Sequence, residues 1–201
     1  MRILLASANP KEEQRSCGLR LAQFFQEEVA RELPETVLTI RDLYEEPSPF
    51  LGGDVLDAWE RETDKPVTTE EVEQLLEQDV LVLVTPLWNM GIPAAAKAYI
   101  DRLILPEKTF TFGDKGIEGL MQKLTVVHLQ SRGGIYSEGK LAAFEHGESY
   151  MRTIWSLTGV QDYHHIVVEG TSTYPDEVDT RLAAAEKEIR ALVASWKAEN
   201  G

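Results

Sequence analysis

Residues 80–102 read VLVLVTPLWNMGIPAAAKAYIDR, and this stretch decides the fold. Val80–Val84 is an unbroken apolar run rich in β-branched residues, the pattern of a strand buried on both faces. Thr85-Pro86-Leu87-Trp88-Asn89-Met90-Gly91 interrupts it, and a helix over Ile92–Leu103 opens with Pro93 near its first turn, where a missing N–H costs nothing. A strand that ends in a short loop of aromatic, amide and glycine residues is how open α/β sheets build ligand sites. Trp88 offers a flat apolar surface, Met90 a soft one, and Asn89 a polar handle with a backbone N–H. That mixture suits a planar, partly polar heterocycle.

The same grammar repeats outward from this unit. Strands are expected over Arg2–Ala6, Thr36–Arg41, Asp79–Thr85, Lys123–Gln130 and His164–Glu169. Helices are expected over Ser16–Glu32, from about Val67 to Gln78 with Thr68 as N-cap, and over Ile92–Leu103, Phe144–Leu157 and Pro175–Lys197. Gly159 supplies a C-cap to the fourth of these. Asp42–Pro66 is a long connection rich in proline, glycine and acids, with a helical turn at Val55–Arg61, and Phe110–Phe112 is a short extended excursion. Strands apolar on both faces and alternating with helices predict an α/β fold, a doubly wound five-stranded parallel sheet forming one domain over residues 1–201.

Composition narrows the function. Twenty Lys and Arg against thirty-four Asp and Glu give a net charge of −14, a field that repels nucleic acid and anionic membranes. No apolar run approaches the ~20 residues of a membrane span, and Met1–Ala8 is too short for a signal peptide before Lys11 and Glu12. One cysteine, Cys17, forms no intrachain disulfide and no cysteine-rich zinc site. A cytoplasmic protein is expected. His128, His146, His164 and His165 lack metal-ligand spacing, and G-x-S-x-G, G-x-G-x-x-G and the P-loop motif are absent.

In a doubly wound sheet the loops after the first, third and fourth strands share one rim. The first runs from Ser7 through Lys11 to Arg15, Ser16 and Cys17, placing hydroxyls and cations at a helix N-terminus that favours a phosphate monoester. Ser16 also suits a plain helix cap. Cys17 at a helix start invites a thiolate nucleophile, but no arginine follows at the spacing of the cysteine phosphatases, since Gln23 stands there. The second loop is Pro86–Gly91. The third, Ser131-Arg132-Gly133-Gly134, combines donors with close backbone approach.

Pro86-Leu87-Trp88-Asn89-Met90, Lys108–Leu120 and Ser131-Arg132-Gly133-Gly134-Ile135 together resemble the FMN-dependent NADH:azoreductases, members of the flavodoxin-like NAD(P)H:quinone oxidoreductases. The resemblance runs in order along nearly the whole chain, to Glu169-Gly170. It implies the flavodoxin-like strand order 2-1-3-4-5, a homodimer and bound FMN. It further implies NADH or NADPH as donor and two-electron, ping-pong transfer to a quinone or azo acceptor. The competing expectation is a flavodoxin-type electron carrier. By position, it implies that Ser7, Arg15, Ser16 and Cys17 hold the flavin phosphate. Pro86, Leu87, Trp88, Asn89 and Met90 are then a flavin wall, and Ser131, Arg132, Gly133 and Gly134 the pyrimidine end. The flavin itself carries the chemistry. Phe110, Phe112 and Tyr136 are expected around the acceptor, Phe110 and Phe112 being equally suited to dimer packing.

Overall fold

Seven consecutive residues of the central strand, Val80–Pro86, are buried, so the sheet is covered on both faces at its middle. The structure is a computed structural model that describes residues 1–60, 67–114 and 116–200. Its elements are β1 (Arg2–Ser7), α1 (Cys17–Glu32), β2 (Val37–Asp42), α2 (Gly53–Glu60), α3 (Glu70–Leu76), β3 (Val80–Pro86) and α4 (Ala94–Leu103). There follow β4 (Phe110–Gly113), β5 (Gly116–Gly119), β6 (Thr125–Ser131), α5 (Gly147–Leu157), β7 (Asp162–Val168) and α6 (Val178–Asn200). The main sheet is parallel throughout, in the order β2-β1-β3-β6-β7. Counting only its own strands, this is 2-1-3-4-5, the flavodoxin-like order.

The period-two alternation of a strand sends neighbouring residues to opposite faces. Ile3, Leu5, Val82, Val84, Val127 and Leu129 pack beneath α1 and α6 around Phe25 and Trp196. Leu4, Leu81, Leu83 and Val126 pack on the other side with Tyr99, Met151 and Trp155 from α4 and α5. Only the inner strands are apolar on both faces. At the two edges β2 exposes Val37 and Ile40, and β7 leaves His164 half-buried, because an edge strand lacks a neighbour on one side. No helix among the described residues is long and apolar enough to cross a membrane.

Several element boundaries differ from expectation, each for a local reason. The N-cap of α3 is Thr69 rather than Thr68: its hydroxyl accepts the Val72 N–H at 3.2 Å, while Thr68 donates to Glu73. The helix expected from Phe144 is instead a 3₁₀ segment, Gly139–Phe144, followed after Glu145 and His146 by α5. The Glu145 carboxylate causes the break by turning back to accept the N–H groups of Gly147 at 3.0 Å and Glu148 at 2.8 Å. The last helix likewise begins with a 3₁₀ turn at Pro175–Glu177. The expected turn at Val55–Arg61 becomes α2, Gly53–Glu60; Arg61, with the rest of that connection to Pro66, lies outside the described residues.

The Phe110 excursion is an antiparallel hairpin, β4 paired with β5. It is seated where α5 ends and β6 begins: Met121 N–H donates to the Thr158 carbonyl at 2.8 Å. A Cβ at Gly119 would stand 2.1 Å from the Gly159 backbone nitrogen, so the seat requires glycine. This is the end of the sheet opposite the strand C-termini.

Candidate functional site

At the C-terminal rim, Pro86 and Ser131 are paired across β3 and β6, and Ser7 sits in register with Val84. The first, second and third loops therefore meet there. They enclose a cleft of about 250 Å³ lined by Asn9, Lys11, Arg15, Ser16, Cys17, Pro86, Leu87, Trp88, Ser131, Arg132, Gly133, Thr171 and Ser172.

One end of the cleft is cationic. Ser16 is buried, and its hydroxyl caps α1 by accepting the Leu19 N–H at 3.2 Å and also receives the Asn9 side-chain amide at 2.7 Å. The capping and lining roles expected of Ser16 thus coincide in one residue. No acidic residue occupies the first turn of α1, so the positive end of the helix dipole is left uncompensated. Arg15 alone among the described arginines forms no ion pair, and Lys11 forms none either. In a chain of net charge −14, two cations without carboxylate partners at one helix N-terminus define an anion subsite. The Cys17 thiol is half-buried, and burial holds its pKa above the ordinary value although Arg20 and Lys11 pull it down. It is therefore a thiol at neutral pH, a lining group rather than a nucleophile.

The other end is flat and apolar, walled by Pro86, Leu87 and Trp88. Leu87 is tied to the third loop by its N–H, which donates to the Ser131 carbonyl at 2.9 Å. Trp88 and Gly91 exchange two backbone hydrogen bonds of 3.0 Å, closing a two-residue turn. Asn89 and Met90 occupy its tip with φ of 49° and 68°, the left-handed geometry of a type I′ turn. Asparagine tolerates that region; methionine there is strained by about 1 kcal/mol. Asn89 and Met90 stand at the rim, beyond the residues that line the cleft.

The third loop is held from behind. Arg132, only 4% exposed, donates through Nε to the Gln130 side-chain oxygen at 2.7 Å. Its terminal nitrogens lie 3.3 Å from Glu145 and 3.6 Å from Glu169. Glu145 caps α5, and Glu169 accepts the N–H groups of Tyr136 at 2.9 Å and Ser137 at 3.1 Å. The guanidinium, expected to face the flavin, is thereby committed to binding three chain segments together. Gly133 and Gly134 do not adopt positive φ. Their use is close packing: a Cβ on Gly133 would meet the Ser172 hydroxyl at 3.0 Å, and one on Gly134 the Tyr136 ring at 3.1 Å.

Ser7, though buried at the strand end, is not among the lining residues; its carbonyl accepts the Leu43 N–H at 2.9 Å. Tyr136 lies behind the third loop, in a second hollow of about 420 Å³ shared with Arg132, Glu145, Glu148 and His165. Phe110 and Phe112 are not brought to the cleft of their own chain. Phe110 is buried at the base of the hairpin, its ring 5.5 Å from that of Phe112, which is 67% exposed. Of the four lining residues outside the expected site set, Asn9 and Lys11 lie in the first loop, and the other two escaped the sequence reading. Thr171 and Ser172 follow β7 as a short hydroxyl run, and their N–H groups bond the carbonyls of Arg132 at 3.2 Å and Gly133 at 2.9 Å. Among the described residues no group of three or more His, Cys, Asp or Glu side chains is arranged to hold a metal ion.

A family profile described as a flavodoxin-like fold matches residues 1–193. An FMN-dependent NADH:quinone oxidoreductase of Staphylococcus aureus (strain MRSA252) is 34% identical over 206 aligned residues, covering 97% of this chain and 99% of the relative. Among solved structures, azoreductase AzrA superposes with a TM-score of 0.89 at 27% identity, covering 97% of this chain and all of its own. An azoreductase from Bacillus anthracis str. Sterne gives 0.89 at 28% identity, covering 96% of this chain and 98% of its own. The chain belongs to the flavodoxin-like family that includes the FMN-dependent NADH:quinone oxidoreductases and azoreductases, and it is an oxidoreductase of that family.

Proposed function

We propose that this protein binds FMN in the rim cleft and uses NADH to reduce a quinone or azo acceptor. The observation that carries the reading is the division of one cleft into a cationic end, with Lys11 and Arg15 unpaired at the α1 N-terminus, and a flat apolar end at Pro86, Leu87 and Trp88. A molecule with a phosphate at one end and a planar ring system at the other matches both ends. FMN held by these residues would supply the two-electron redox chemistry between NADH and the acceptor, in ping-pong order.

The protein's own part is binding and orientation. Arg15, Lys11, Ser16 and the α1 N-terminus neutralise a phosphate dianion, with Cys17 and the buried rim residue Ser7 beside them. Trp88 and Leu87 supply the wall for the ring. Backbone N–H groups of Asn89 and Met90 at the turn tip, with Gly133 and Gly134 of the third loop, offer donors to the polar ring edge. Arg132 and Ser131 act by fixing the third loop. No side chain is required to act as a strong acid or base.

The test is an absorbance spectrum of purified protein reconstituted with FMN, before and after anaerobic NADH. A bound-flavin spectrum that bleaches on NADH addition supports the enzyme. Colourless protein after reconstitution removes the flavin reading, and a yellow protein that stays yellow with NADH points instead to a carrier.

We further propose a homodimer. Phe112, Ile117 and Leu120 on the hairpin are large, apolar and exposed, the kind of patch that marks an interface. Light scattering should give about twice the 22.6 kDa chain mass, and Phe112→Glu should shift the population toward monomer. A monomeric wild type at micromolar concentration would overturn this.

A further inference from the structure

Between the second and third loops lies a segment that neither the phosphate end nor the flat end of the cleft uses. Residues 139–146 bridge the two loops. At one end His146 N–H donates to the Met90 carbonyl at 2.9 Å, so the segment hangs from the strained turn tip. At the other, Leu141 packs against the third loop, its Cδ1 3.6 Å from where a Cβ on Gly134 would be. Both ends are immobilised: Glu145 through Arg132 and the α5 N–H groups, and the chain at Tyr136–Ser137 through Glu169.

The segment is a 3₁₀ helix over Gly139–Phe144 with no buried residue. At three residues per turn, positions i and i+3 eclipse on one side. Leu141 and Phe144 therefore form a single apolar stripe, and both stay exposed, at 41% and 52%. Met90, on the turn tip to which the stripe is anchored, is 39% exposed. Two large apolar side chains on the bridge and one on the turn it hangs from, all beside the cleft, are left exposed by the rest of the chain. The stripe's charged neighbours are mixed: Glu138 and Lys140 stand before and beside Leu141, and Glu145 after Phe144 is paired with Arg132.

From this geometry we infer that Met90, Leu141 and Phe144 form a ledge that binds the apolar, non-reacting substituent of the acceptor. It rests on the proposed quinone or azo reduction and deepens it by naming the acceptor class: one with an alkyl or aryl extension, in preference to a bare ring. The acceptor's reacting ring lies in the cleft between the second and third loops, and its extension passes over the ledge.

The experiment compares a bare naphthoquinone with the same ring carrying a six-carbon chain, on the FMN-loaded protein. Binding is read by quenching of tryptophan fluorescence and turnover by KM. Wild type should favour the chain-bearing quinone about tenfold, toward the lower end of what apolar pockets achieve in discrimination. In the Leu141→Ser/Phe144→Ser double variant this ratio should fall toward one; both positions are exposed, so the core is untouched. Equal affinities in wild type, or a ratio that survives in the variant, would overturn the ledge. So would a double variant that loses its oligomeric state, since the stripe would then be an interface. A wild type that bleaches with NADH yet shows no chain preference defeats the ledge alone; one that binds no FMN defeats the underlying function.

Discussion

Replacing Arg132 with methionine should lower the melting temperature by about 10 °C. The guanidinium is almost wholly buried, bonded to Gln130 and flanked by Glu145 and Glu169. Methionine fills much of the same volume but removes the charge, leaving two largely buried carboxylates facing each other. Removing one partner of a buried ionic cluster costs about 3–5 kcal/mol. For a domain of this size each kcal/mol moves the melting temperature by about 2–4 °C. Arg132→Lys keeps the charge but not the planar fork, and should fall between wild type and Arg132→Met. The loss should also reach flavin affinity, because the same side chain fixes the third loop, the start of α5 and the Tyr136–Ser137 turn. Circular dichroism melts with and without excess FMN measure both effects. A shift under about 2 °C for Arg132→Met would mean the carboxylates find other partners, and would refute the clamp.

Acidification from pH 6.5 to 4.5 should destabilise the protein by about 2 kcal/mol through His165 alone, with His128 acting in the same direction. The source is two buried histidines on adjacent strands, rings 5.2 Å apart. His128 shares its ring nitrogens with the Thr85 hydroxyl at 2.8 Å and the Tyr163 hydroxyl at 3.3 Å. His165 bonds the Gln130 oxygen at 3.2 Å. Burial, with Arg132 and Arg152 nearby, holds the His165 pKa down to about 3, and burial with His165 and Arg132 pushes that of His128 well below its ordinary value. Unfolded histidine takes up its proton near pH 6.5, so below that pH the unfolded chain binds more protons than the folded one. Stability is therefore complete above about pH 7 and falls as pH drops, by about 2 kcal/mol for His165 over those two units and further through His128. Carboxylates act lower. Burial of Glu71 favours its neutral form, but hydrogen bonds, above all from Arg102 with its Nε at 2.8 Å, outweigh this and keep its pKa below 4.5. Urea titrations at pH 7.5, 6.5, 5.5 and 4.5 give the slope, and His165→Gln should reduce it, leaving the share of His128. A flat profile between pH 7.5 and 5.5 would show that the histidines are hydrated or charged when folded.

The sheet was legible because its signal is local and redundant. VLVLV at 80–84 can bury both faces only as an inner strand, and the alternation with helices leaves a parallel sheet as the simple arrangement. The cleft was legible where chemistry is concentrated at a strand end: Arg15, Ser16, Trp88 and Ser131 all line it. The helix start near Phe144 was misplaced because the N–H groups two and three positions on are capped by Glu145, a residue type outside the favoured Ser, Thr, Asp and Asn caps. Phe110 and Phe112 look like pocket residues in a list of aromatics. Only the packing of Gly119 on Gly159 shows that their hairpin leaves the sheet at the far end.

The sequence by itself determined the layer architecture, the anion-favouring start of α1 and the aromatic turn after β3. Each of these depends on residues within a few positions of one another, whose periodicity and turn chemistry act locally. Tertiary structure decided what Arg132 does, where Tyr136 points and which residues bridge the second and third loops. Those outcomes depend on pairs such as Arg132 with Glu145, Arg132 with Glu169 and His146 with Met90, from 13 to 56 positions apart along the chain. A guanidinium pairs with whichever carboxylates the fold brings near, and no local pattern names them in advance.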